Sequence, residues 1–216
     1  MLPINIFFHV ATINNFEDIF NEIFKEIELS GLIDSCENIH ISVVGNRDMQ
    51  VPKHEKIKLI KNENISHGEF FTLQAIQDFC KEKNSHILYI HSKGATTPNN
   101  QCIIDWRKYM TYFNINQFKK CLNLLKTNDT CGVDLVQMPT THYSGNFWWS
   151  KSEFINKLPL ISEISKTDSF SILTTRHNAE FWICMKKGNH SCLHNSNINV
   201  YERHTHLYDK SNYICS

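Results

Sequence analysis

Long uncharged apolar runs are missing from this chain, so no membrane-spanning helix is expected. An excess of charge is missing too: Lys and Arg total 22 and Asp and Glu total 22. A balanced chain argues against a general nucleic-acid or anionic-membrane binder, though it leaves room for a small local anion site. No CxxC pair occurs among the 8 cysteines, which excludes the commonest zinc and dithiol spacings. Scattered through helical and strand-like segments, they read as buried free thiols. The opening segment MLPINIFFHVATINN has neither a basic stretch nor a small-residue cleavage site, and reads as a first strand and not as a signal peptide. With that reading, a reduced cytoplasmic setting is expected and not a disulfide framework. Internal repeats and low-complexity linkers are also lacking, and 216 residues suit one domain with one substantial core.

What is present is an alternation of strand and helix. Residues 4–10, 39–44, 57–60 and 87–90 read as strands. Between them, residues 16–29 place Phe16, Ile19, Phe20, Ile23, Phe24 and Ile27 on one helical face, and residues 68–83 do the same with Phe71, Ala75, Ile76 and Phe79. This pattern predicts an α/β fold with a largely parallel sheet and helices on its faces. Ligands of such sheets bind beyond the carboxyl ends of the strands, so the tips at His9, Ala11, Thr12, at Gly45, Asn46, Arg47, and at His91, Ser92, Lys93, Gly94 draw attention. Further on, residues 105–126 predict a long helix broken near Asn114, residues 132–138 a strand ended by Pro139, residues 174–187 a helix, and residues 198–202 a strand in a loop-rich tail. The polar segment 166–175 reads as a mobile loop.

Several constellations carry chemistry, each with a plainer use. In SHILYIHSKGATT an apolar strand ends on an imidazole, a hydroxyl, an ammonium and a glycine. Gly94 permits close approach of a ligand to the backbone, and Lys93 and Ser92 supply a charge and a hydroxyl, which suits a diphosphate. A polar turn is the plainer use. In HYSGNFWW, Trp148 and Trp149 on a strand would face opposite ways. One could enter the core while the other lines a sugar-binding cleft, or both could be core. Arg176 and Glu180 share a helical face at i and i+4: a surface ion pair, or a carboxylate at a helix head serving as general base. His190, Cys192 and His194 alternate, and His204 and His206 follow, but the spacing matches no usual zinc signature. Arg107 and Lys108, behind Asp105 and Trp106, could face phosphate or solvent.

Taken together, LYIHSKGATT, WRKYM, HYSGNFWWSKSEFINKLP and RHNAEFWI resemble small GT-A type glycosyltransferases, such as occur in bacterial polysaccharide clusters and giant DNA viruses. The resemblance spans roughly Ile4 to Tyr208 and is most specific at HSKG and SGNFWW. It implies a single GT-A-like domain over residues 1–216, with a nucleotide-sugar-binding half at 1–97 and an acceptor half with the tail at 98–216. It implies donor contacts from His9, Ala11, Thr12, Asn46, Arg47, His91, Ser92, Lys93 and Gly94. Acceptor contacts would come from Ser144, Gly145, Asn146, Trp148, Trp149 and Arg176, and Glu180 would be the base of an inverting hexosyl transfer from a nucleotide-diphospho-sugar, UDP by default. The partners so implied are that donor and a glycan or other hydroxyl acceptor, with no nucleic acid and no membrane span, in the cytoplasm of a bacterium or a virus-infected cell. One departure stands out: where the family carries a DxD motif for Mn²⁺, this chain has His91, Ser92 and Lys93. An ammonium would repel a divalent cation and could neutralise the diphosphate itself. No cofactor is called for by these residues; Mn²⁺ or Mg²⁺ stays as the family's alternative. A catalytically inactive nucleotide-sugar-binding domain and a zinc-stabilised interaction module are the competing readings.

Overall fold

Strand β1 (Ile4–Ala11) is buried on both faces, as a central strand of a helix-covered sheet must be. Its alternation sends Ile6, Phe8 and Val10 into one core and Phe7 into another. Helix α1 (Phe16–Leu29) lays its whole apolar stripe, Phe16 to Ile27, on the first core, and opens with Glu17 and Asp18 where carboxylates favour a helix N-terminus. After the short α2 (Leu32–Ser35), β2 (Asn38–Val44), β3 (Ile57–Asn62), α3 (Gly68–Glu82) and β4 (His86–His91) complete a parallel unit. In its register Ala11 lies beside Val44 and His9 beside His91, so the tips of β1, β2 and β4 share one edge. The computed structural model describes residues 2–166 and 176–214.

The second half is built of shorter pieces. Helix α4 (Gln101–Thr111) begins where Asn100 Oδ1 accepts from the backbone N–H groups of Cys102 and Ile103. It passes through a π turn (Tyr112–Asn116) into α5 (Phe118–Leu124). The break expected near Asn114 is there: its amide donates to Met110 O, and its own carbonyl accepts the Trp149 indole N–H at 2.9 Å. Then come β5 (Thr130–Gly132), β6 (Leu135–Val136), β7 (His142–Tyr143), β8 (Trp148–Lys151), α6 (Ser152–Ile155), α7 (Ile161–Ile164), α8 (His177–Phe181) and β9 (His190–Cys192). The main sheet runs β3-β2-β1-β4-β8-β5-β9, with β8 antiparallel to both neighbours and every other pair parallel. The result is one α/β domain with a large, mostly parallel sheet flanked by helices.

The later elements depart from the periodicity. The strand expected over 132–138 is split because Asp134 takes a left-handed φ of 47° and turns its carboxylate to the Ser196 N–H. The strand expected over 198–202 is instead a 3₁₀ turn (Val200–Glu202) capped by Asn199. The tail's strand is β9, where His190 Nδ1 meets Thr130 Oγ1 at 2.7 Å. The helix expected over 174–187 is α8 followed by a 3₁₀ turn, with 174 and 175 outside the described residues. The loop expected at 166–175 lies outside them as well, save Lys166.

Candidate functional site at the carboxyl edge of the sheet

The edge is stitched across its strands. Ser92 N–H donates to His9 O, and Ala11 N–H donates to Ser92 Oγ at 3.1 Å. Thr12, buried, ties β1 to the β2 tip: its backbone N–H donates to Val44 O and its hydroxyl accepts from Arg47 N–H. Gly45 has φ of 120°, and a Cβ there would lie 2.2 Å from Thr12 Oγ1, so only glycine closes this seam. Asn46 and Arg47 are exposed beyond it, with the Arg47 guanidinium 4.7 Å above the Phe16 ring and donating to Asn14 O. At the β4 tip Lys93 is half-buried, its ammonium 3.9 Å from the centroid of Trp106. Behind it Arg107 donates to Lys93 O and pairs with Glu22. That overturns the idea that Arg107 faces phosphate, because its guanidinium is buried and spent on fixing the turn before Gly94.

The Ser-Gly-Asn turn between β7 and β8 meets this edge. Gly145 adopts φ of 92°, and a Cβ on it would strike Met110 Sδ at 2.4 Å and Trp106 Cζ2 at 3.0 Å. The bare backbone therefore touches the indole, and its two polar groups are both used: Gly145 O accepts from His91 Nε2 at 2.9 Å, and Gly145 N–H donates to Glu180 Oε1 at 2.9 Å. Glu180, half-buried on α8, acts electrostatically on Lys93, His91 and His204. The ion pair with Arg176 is not formed among the described residues; Arg176, exposed at the head of α8, faces the same corner and presses on Lys93 and His9.

Glu69, in the first turn of α3, was not singled out by the sequence. Its Oε2 accepts from Tyr89 OH and from Asn146 Nδ2, both at 2.7 Å. Burial alone would raise this carboxyl; His91 and His9, with the two hydrogen bonds, outweigh it and hold it down at about 2. Burial takes His9 down to about 4 despite Glu69, and lowers His91 in the same way. Burial also lowers Lys93, helped by Arg176 and Arg203 and opposed by Glu180 and Glu69. Near neutrality the corner thus holds neutral imidazoles and ionised Glu69 beside Lys93.

Several expected acceptor contacts are corrected. Trp148 and Trp149 do face opposite sides of the sheet, but both are fully buried: Trp149 packs in the α1 and α4 core, and Trp148 in the α3 core. Neither ring offers a face to a sugar. Asn146 gives its amide to Glu69 and accepts the Trp148 N–H, so both polar ends of its side chain are used in securing the turn. Ser144 is likewise buried, its N–H on Asp134 O. The histidines of the tail serve separate packing roles: His190 on Thr130, and His194 on the Tyr109 hydroxyl and the Phe113 face. Among the described residues no three His, Cys, Asp or Glu side chains converge as a metal set. The β4 tip does not fit a divalent cation either, since it presents an ammonium where such an ion needs carboxylates. Among the described residues no helix is long and apolar enough to cross a membrane.

No curated protein matches the chain. The model of a family described as a domain of unknown function, DUF8361, matches residues 4–198, most of the chain, and the chain belongs to that family.

Proposed function

We propose that this domain is a GT-A-like glycosyltransferase that moves a sugar from a nucleotide-diphospho-sugar to a hydroxyl acceptor, with inversion and without a metal. One observation carries the reading: a carboxylate, Glu180, held by the Gly145 N–H, and the Lys93 amine over the Trp106 ring come to the same corner beyond the carboxyl ends of parallel strands, close enough for the one to act on the other. Binding there is what an open α/β sheet favours. The Gly145 N–H orients one Glu180 oxygen and leaves the other for a substrate. In the proposed step Glu180 takes the proton of the acceptor hydroxyl as that oxygen bonds to the anomeric carbon. The bond from that carbon to the donor phosphate breaks, and the nucleoside diphosphate departs with the electron pair. Lys93 would offset the charge growing on it. Thr12, Gly45 and Arg47 at the β1 and β2 tips would receive the nucleoside.

Glu180→Gln keeps the Gly145 contact but cannot accept a proton. It should lower transfer at least about a thousandfold while leaving donor affinity, read by calorimetry, within about threefold. Wild-type rates in this variant would remove Glu180 from the mechanism. A thermal-shift screen of UDP-, GDP- and dTDP-sugars, with and without Mn²⁺, identifies the donor because a ligand of the native state raises the melting temperature. Binding with no turnover on any acceptor would make the chain a nucleotide-sugar-binding domain instead.

A further inference from the structure

At Trp106 and the neighbouring Arg203, buried hydrogen-bond donors have no acceptor among the described residues. The Trp106 Nε1–H is buried and unpartnered among the described residues. Arg203, 2% exposed, lies with its guanidinium 5.4 Å from the indole centroid. Its Nη2 is taken by Asp134 and Ser196, but Nε and Nη1 are buried without an acceptor among the described residues. Lys93 stands 3.9 Å over the same ring. Each unmet buried donor costs on the order of 1–3 kcal/mol, so an assembly of them is a place prepared for an acceptor-rich guest. The chain around Arg203 makes the same point: residues 201–207 are otherwise exposed, and only the arginine dips inward. Asp134, itself buried and holding the Ser196 N–H at 2.7 Å and the Tyr109 hydroxyl at 3.3 Å, fixes the guanidinium in that pose.

We propose that Lys93, Trp106 and Arg203 form an anion site that receives a diphosphate, Arg203 through its Nε and Nη1 edge, Trp106 through its indole N–H and Lys93 as a point charge. The site stands on its own geometry. Its assignment to the diphosphate of a sugar donor rests on the function proposed above. It explains how a chain without a carboxylate pair at the β4 tip could hold that group: a planar guanidinium edge replaces the cation's coordination, while Glu180 and Glu69 oppose the lowering of Lys93 by burial.

The test is calorimetric titration of the full chain with inorganic pyrophosphate, then with UDP and uridine, all in EDTA. Wild type should bind pyrophosphate at one site. Arg203→Lys, which keeps the charge and loses the fork, and Lys93→Met should each weaken binding about tenfold or more, and Trp106→Phe about threefold or more. Circular dichroism verifies folding; if Arg203→Lys is unfolded, the other two variants still decide. Absence of pyrophosphate binding to wild type, or equal affinity in the folded variants, overturns the site. UDP binding that ignores these variants overturns it too, yet leaves the glycosyltransferase reading intact. Pyrophosphate binding that uridine attachment does not strengthen upholds the site as one for free diphosphate and removes the nucleotide.

Discussion

The polar groups at the carboxyl edge of the sheet fall into two sets that are treated differently by their surroundings. Around Glu69 the acceptors are met: its carboxylate takes the Tyr89 hydroxyl and the Asn146 amide, and the same asparagine closes on Trp148. Around Trp106, among the described residues, donors are left over on the indole and on Arg203. A buried polar network that is complete stabilises and orients; one with unmet donors costs stability and is kept for what it binds. The first set therefore reads as the frame that holds the Gly145 turn and Glu180, and the second as the place where a ligand enters.

Removing a member of each set should separate the two. Glu69→Ala strips the acceptor from two buried donors, and the variant should lose about 3–5 kcal/mol in urea unfolding. A loss below about 1 kcal/mol would mean that the frame is not held by this carboxylate. Acid should act on the same set through His9, and on His40 of β2 outside it. His9 and His40 are each taken down to about 4 by burial, so the unfolded chain takes up their protons from near pH 6.5 while the folded chain does so only near 4. Stability is thereby lost as pH falls from about 6.5 to about 4. Glu69, held at about 2, adds a further loss below its ordinary value of 4.5. The expected fall between pH 7 and 4 is a few kcal/mol, and Glu69→Gln should flatten only the part below 4.5; a urea midpoint unmoved by pH would contradict both. The smallest effect belongs to the second set. Trp106→Phe removes an N–H with no acceptor among the described residues, and that relief offsets part of the lost ring volume, leaving a net loss of about 1 kcal/mol or less. A much larger loss would show that the indole N–H is structurally engaged.

How much of this was legible in the sequence follows the same division of the chain. Helix α1 and strands β1 to β4 are each long enough for period 3.6 or 2 to show, and the apolar face read at Phe16, Ile19, Phe20, Ile23, Phe24 and Ile27 is the buried one. Beyond residue 130 the strands are two to four residues long. Over that length tertiary contacts override pattern, and a single left-handed residue, Asp134, splits a run that reads as one strand. Of the candidate site, the strand tips could be singled out because topology alone selects them, whereas Glu180 entered only through the resemblance to GT-A glycosyltransferases. The tryptophan pair misled because alternation reveals that the rings face opposite ways but not that helices cover both faces. Glu69 carried a signal, an acid one residue after a helix-opening glycine, that has an ordinary explanation in the helix dipole. Arg203 carried none, since only the fold brings residue 203 to residue 106.

The central claim is that Lys93, beside Trp106, receives the diphosphate of an activated sugar while Glu180 acts on the acceptor. Its most direct measurement is the affinity of UDP relative to uridine in the absence of metal, for wild type and for Lys93→Ala. The account predicts that UDP binds wild type at least about tenfold more tightly than uridine, and that the variant loses most of that advantage while its uridine affinity is unchanged. Equal affinities in wild type, or an advantage that survives in Lys93→Ala, would contradict it.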